Sequence, residues 1–96
     1  MTEKKYEVKA VRPCEGGGFV VVGRLSRAFS MEALCTILQG LGQCSERLGV
    51  ARFFHEGYRI ILYRNGRVDV HRAESEDDAI RVIDEIKPFI KGAFVG

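Results

Sequence analysis

Asn65-Gly66, set between the β-rich runs Tyr58-Arg59-Ile60-Ile61-Leu62-Tyr63 and Arg67-Val68-Asp69-Val70-His71, constrains the fold more than any other feature of the chain. The dipeptide is the strongest short hairpin signal, and how it closes decides which side chains face the core. A two-residue loop would place Leu62 across from Asp69 and mix charge with hydrocarbon on both faces. A three-residue loop, Arg64-Asn65-Gly66, with Gly66 left-handed, pairs Tyr63 with Arg67, Ile61 with Asp69 and Arg59 with His71. It gathers Tyr58, Ile60, Leu62, Val68 and Val70 on one side as core, with Arg72 at the frayed end. Arg59, Ile61, Tyr63, Arg67, Asp69 and His71 are left on a mixed, exposed side. The bulged loop is the expected register.

The rest of the composition is that of one soluble domain, residues 1–96, able to bury a modest core. Hydrophobic residues make up 46% and charged residues 29%, so the chain is expected to be neither disordered nor membranous. No apolar run is long enough to span a membrane, and Met-Thr-Glu-Lys-Lys is not a signal peptide, so a cytoplasmic location is expected. Cys14, Cys35 and Cys44 are odd in number and lack CxxC spacing, which predicts free thiols. The net charge of +2 hides an asymmetry: residues 73–85 carry six acids and one base, leaving +7 for the remainder. Acids at a helix start complement its dipole, so that cluster reads as structural.

Along the chain, residues 4–12 alternate, Tyr6, Val8 and Ala10 against Lys5, Glu7, Lys9 and Val11, as a half-exposed strand ended by Pro13. The glycine turn 16–18 leads into Phe19-Val20-Val21-Val22, an inner strand that the first is expected to pair with and cover. No GKS or GKT follows the glycines, which argues against a phosphate loop. Ser30 caps a helix carrying Met31, Leu34, Ile37, Leu38 and Leu41, ended by Gly40 and Gly42, with Cys35 a small core residue. Residues 43–46 read as a polar connection. In Val50–His55, Arg52 cannot face the core, so Phe54 points outward near Arg59, while Ala51, Phe53 and His55 point inward. Glu56-Gly57 is a tight turn. Ser75-Glu76-Asp77-Asp78 opens a last helix with Ala79, Ile80, Val82, Ile83, Ile86 and Ile90 as its apolar stripe. Pro88 predicts a kink or a tightened final turn before Gly92, with Phe94 folding back.

The stretch IILYRNGRVDVHRAESEDDA, an apolar strand ending in an aromatic, a Gly-Arg turn, a valine-bearing strand, Ala and a Ser-Glu-Asp-Asp-Ala helix start, resembles one half-repeat of the TATA-box-binding protein family. The resemblance implies an α+β fold, a single curved antiparallel sheet with two helices packed on one face. In that family the concave face presses into a DNA minor groove. The DNA-contact positions are not retained. Tyr63 and, in the looser alignment, Leu48 replace the family's wedging phenylalanines, Asp69 and His71 replace groove-floor valine and threonine, and one repeat stands where the saddle has two.

No catalytic constellation is expected. His55, His71, Asp69 and a cysteine include zinc-ligand types, but their spacing is not diagnostic, and no metal or cofactor is assigned. Asp69 and His71 share a face, yet no nucleophile or cleft can be named for acid–base work. Val20, Val22, Val50, Phe54, Ile61 and Tyr63, rimmed by Arg52, Arg59 and Arg67, predict an apolar patch on the helix-free side, unless the N-terminal strand covers part of it. The expected role is therefore a non-enzymatic binding or assembly module using Arg52, Phe54, Arg59, Ile61, Tyr63, Arg67, Asp69 and His71 to hold a protein partner or a second copy. Nucleic acid on the same face is the alternative, since aromatics with arginines also suit single strands.

Overall fold

A computed structural model of the chain describes residues 6–95. Six strands, β1 (Glu7–Pro13), β2 (Phe19–Arg24), β3 (Gly42–Ser45), β4 (Val50–His55), β5 (Tyr58–Tyr63) and β6 (Arg67–Ala73), form one antiparallel sheet in the order β1-β2-β6-β5-β4-β3. Two helices, α1 (Met31–Ile37) and α2 (Glu76–Ile90), cover one face, α1 over β3 and β4 and α2 over β1 and β6. The architecture is a small α+β fold with a curved open sheet, as expected. Residues 4 and 5 of the predicted first strand lie outside the described residues.

The hairpin adopts the bulged register. Arg59 pairs with His71, Ile61 with Asp69 and Leu62 with Val68. Gly66 has φ +93, and its amide donates to the Tyr63 carbonyl at 2.9 Å. Ile60, Leu62, Val68 and Val70 consequently face the helices and are fully buried against Val82, Ile83 and Ile86. The turn is also a joint between elements. Leu25 N–H donates to Gly66 O, Phe29 N–H to Arg64 O and Arg64 N–H to Gly49 O, so the segment leading into α1 is laced to the tip of the hairpin. Phe94 folds back to stack on Phe29 at 4.9 Å between ring centroids.

α2 starts as its sequence dictates, with Ser75 Oγ accepting from Asp78 N–H at 3.0 Å while Asp78 Oδ2 accepts from Glu74 N–H at 2.9 Å. The helix passes through Pro88 and tightens into a 3-10 turn over Lys91–Ala93. β1 covers β2 antiparallel, as predicted.

Three expectations are corrected. α1 stops at Leu38, and Leu41 is 56% exposed, because the chain reverses there to add an edge strand: Gly42–Ser45 is β3, not a polar connection. Cys35 and Cys44 are not free thiols. The early reversal brings the strand back alongside α1, and the two residues form a disulfide across it; Cys14 alone is free among the described residues. Arg72 does not sit at a frayed end but within β6, at φ +72, where the β2–β6 register slips.

A side chain at Gly66 would need positive φ, and its Cβ would lie 2.6 Å from Arg27 O and 2.9 Å from Leu25 O. Gly66→Val is expected to cost ~2–4 kcal/mol, combining backbone strain with overpacking against carbonyls that cannot yield. Urea unfolding would show it as a fall in midpoint.

Candidate sheet-face binding site

The helix-free face is where the hairpin register delivers the predicted side chains. Phe54 and Arg59 are cross-strand partners, and the Arg59 guanidinium lies 5.6 Å from the centroid of the Phe54 ring, which is 66% exposed. Arg52 donates to Gln43 Oε1 on β3. Ile61 and Tyr63 on β5, half-buried, line one shallow groove with Val50 and Leu48 and another with Val22 and Val11. The predicted residues therefore do share one face.

Asp69 does not belong to its exposed surface. It is 5% exposed and tightly partnered: Arg67 donates from Nε to Oδ1 at 2.8 Å and from Nη2 to Oδ2 at 3.1 Å, and Tyr63 Oη donates to Oδ2 at 3.2 Å. Residues 67 and 69 are two apart on one strand and so share a face, while Tyr63 lies opposite on β5. The carboxylate thus meets a fork of donors instead of solvent. The pairing raises the Arg67 pKa. Tyr63 is also raised, by burial first and then by the Asp69 charge, with Arg67 opposing. Arg67 stacks over the Tyr63 ring at 4.9 Å, which closes the triad. Val20, expected in the exposed patch, is 4% exposed.

The feature that alternation alone does not reach is a cleft at the far end of this face, with a volume of about 590 Å³. Its lining includes Arg12, Cys14, Val20, Phe54, Arg59, His71 and Arg72. Burial pushes the His71 pKa below its ordinary value; Asp69 opposes this, and the Arg59 and Arg12 charges deepen it. Arg12 and Arg72 fall on the inner side by strict alternation. Both strands carry a register shift here, between Ala10 and Arg12 on β1 and opposite Phe19–Val21 on β6, and each slip turns an arginine outward. A charge at an inner position of an otherwise apolar strand, as at Arg72, is the sequence signal that could have revealed the slip.

The two histidines do not meet. His55 lies on the helix side, its Nε2 2.9 Å from Glu85 and 3.5 Å from Glu56, while His71 faces outward. His55, Glu56 and Glu85 place ligand atoms within 4.8 Å of one another. Arg81 already donates to Glu85 Oε2 at 2.6 Å, which sets a fixed cation against that cluster. Asp69, His71 and Cys14 are likewise not assembled as ligands: Asp69 is held by Arg67, and Cys14 Sγ accepts from Arg72 N–H at 3.3 Å. No helix among the described residues is long and apolar enough to cross a membrane. No protein-family model matches the chain, and no curated protein matches it significantly in sequence.

Arg67→Ala would strand the buried Asp69 carboxylate and is expected to cost ~1–3 kcal/mol, whereas Arg59→Ala, which removes an exposed guanidinium, should stay within ~0.5 kcal/mol. Paired chemical denaturation curves would separate them. His71 supplies a second test. With its folded pKa below the unfolded value of 6.5, the folded chain binds fewer protons in that window, so its contribution to stability is present above 6.5 and lost as pH falls through the folded value. His71→Gln should flatten the corresponding part of the stability profile measured between about pH 7.5 and pH 5.

Proposed function

We propose that this chain is a non-enzymatic binding module that holds a protein partner on the helix-free face of its sheet. The observation that carries the reading is the pair of aromatic–arginine stacks, Phe54 with Arg59 and Tyr63 with Arg67, set on adjacent strands of the same face beside half-buried Ile61 and Val22. Aromatic and arginine side chains dominate binding energies at interfaces, and here they flank hydrocarbon that a partner could desolvate. The likeness of residues 60–79 to a TATA-box-binding half-repeat supports use of the same sheet surface. Asp69, committed to Arg67 and Tyr63, argues for a partner other than the floor of a duplex groove.

One observation favours a second reading, single-stranded nucleic acid. The acids of residues 73–85 are confined to α2 and the approach to it, while Arg52 and Arg59 stand exposed on the sheet face with the open ring of Phe54.

Phe54→Ala is the cleaner probe than Tyr63→Ala, because the Tyr63 hydroxyl supports Asp69. Phe54→Ala should weaken a partner recovered by cross-linking on this face by at least about tenfold with an unchanged melting transition. Leu62→Ala should instead lower stability by ~2–5 kcal/mol. Partner binding indifferent to Phe54→Ala would overturn the reading. Affinity for a labelled oligonucleotide that falls steeply with salt would transfer the face to nucleic acid.

A further inference from the structure

The two register shifts that flank β2 occur at one level of the sheet. On β1, Val11 is the extra residue between Ala10, paired with Val21, and Arg12, paired with Val20. On β6, His71 and Arg72 together span the interval opposite Val20, between Val70, paired with Val21, and Ala73, paired with Phe19. A bulge reverses the alternation beyond it. In consequence Arg12, due to face the helices, lines the outer cleft, and His71 and Arg72, successive in sequence, line it together. Arg72 holds a left-handed backbone at φ +72, a conformation uncommon for a residue with a side chain, and its amide is fixed by Cys14 Sγ at 3.3 Å. Arg59 closes the third side from β5.

Among the described residues, none of the guanidiniums of Arg12, Arg59 and Arg72 is paired with a carboxylate, although Glu15 also lines the cleft. Arg67, by contrast, is paired with Asp69, and Arg81 with Asp78 and Glu85. Val20, Pro13 and the Phe54 ring supply apolar wall, and a volume of about 590 Å³ falls within the range of small-molecule clefts. We propose that this cleft is a binding site for a small organic phosphate, its phosphate held by Arg12, Arg59 and Arg72 and its apolar body resting on Pro13 and Phe54. Guanidinium forks match phosphate oxygens in pairs, and three of them with the Glu15 carboxylate leave the concavity a net charge that a single phosphate dianion offsets. The cleft shares Phe54 and Arg59 with the proposed partner surface, but the inference does not rest on that reading, since Arg12 and Arg72 belong to the cleft and not to that surface, and no partner is needed to fill it.

The test is an NMR titration of the isotope-labelled full chain, at constant ionic strength, with inorganic phosphate and separately with a ribonucleoside monophosphate. The expected result is saturable perturbation confined to amides at residues 12, 14, 15, 20, 54–59 and 71–72, together with the His71 ring signals, and tighter binding of the monophosphate than of phosphate alone. Arg72→Gly suits the left-handed backbone and removes the side chain with its guanidinium; it and Arg12→Gln should each weaken binding by about tenfold. Arg24→Ala, an exposed arginine of β2 outside the cleft, should leave binding unchanged. Perturbation that never saturates, or equal loss in Arg24→Ala, would overturn the proposal in favour of diffuse electrostatics. Binding of phosphate with no gain from the nucleoside would overturn the organic-body assignment. An oligonucleotide that binds while the monophosphate does not would overturn the compact site altogether.

Discussion

The left-handed backbone at Gly66 is the constraint on which the rest of the molecule depends. A strand has a side-chain period of two, so adding one residue to the loop inverts every position of β6 relative to β5. With Gly66 as the added residue, Ile60, Leu62, Val68 and Val70 fall together beneath α2. The same turn accepts the Leu25 amide and, through Arg64, the Phe29 amide, so the geometry that sets the sheet register also anchors the segment that launches α1. Local turn chemistry and global packing therefore agree, which is the condition for a sequence to specify one structure.

The other face of the hairpin holds a different balance. A carboxylate at Asp69 would be costly on a nearly closed surface if it stood alone, and its desolvation is offset by a bidentate arginine two residues earlier and a phenol across the strand. The triad makes the centre of this face polar inside yet sealed, leaving Phe54 and Arg59 toward one end as its open aromatic and cation. Recognition is thereby displaced from the middle of the sheet toward the end where the bulges lie.

The parts legible in the sequence were those in which a period holds without interruption. Residues 58–71 alternate cleanly, and the α2 stripe recurs at helical spacing from Ala79 to Ile90, so the register, the two faces and both helix starts could be read. What escaped depended on interruptions. The Cys35–Cys44 bond follows from α1 stopping at Leu38, a tertiary outcome that Leu41, placed at helical spacing, argued against. Burial of Asp69 needed a count of its donors and not of its charge alone. Arg12 and Arg72 were hidden because a bulge leaves no residue signature of its own; only the anomaly of an arginine on an apolar side marks it.

That anomaly connects the fold to its charge distribution. The acids around α2 are largely committed within the structure: Glu76 accepts from the Ala10 amide, Asp78 from Tyr58 and Arg81, Asp84 from Tyr6, and Glu85 from Arg81 beside His55. Tyr6 shows the strength of this coupling, burial and then the Asp84 hydrogen bond pushing its pKa up to about 12. Because α2 consumes its negative charge on its own side of the sheet, little of it reaches the opposite face. Arg12, Arg59 and Arg72 line a cleft there with Glu15 as its carboxylate, and two slips of register turn Arg12 and Arg72 toward the same valine. An alternating strand could not have placed Arg12 and Arg72 on that face without exposing Ala10 or Val70 in exchange. The bulges separate the two demands, keeping the core side apolar while concentrating positive charge where the sheet is uncovered.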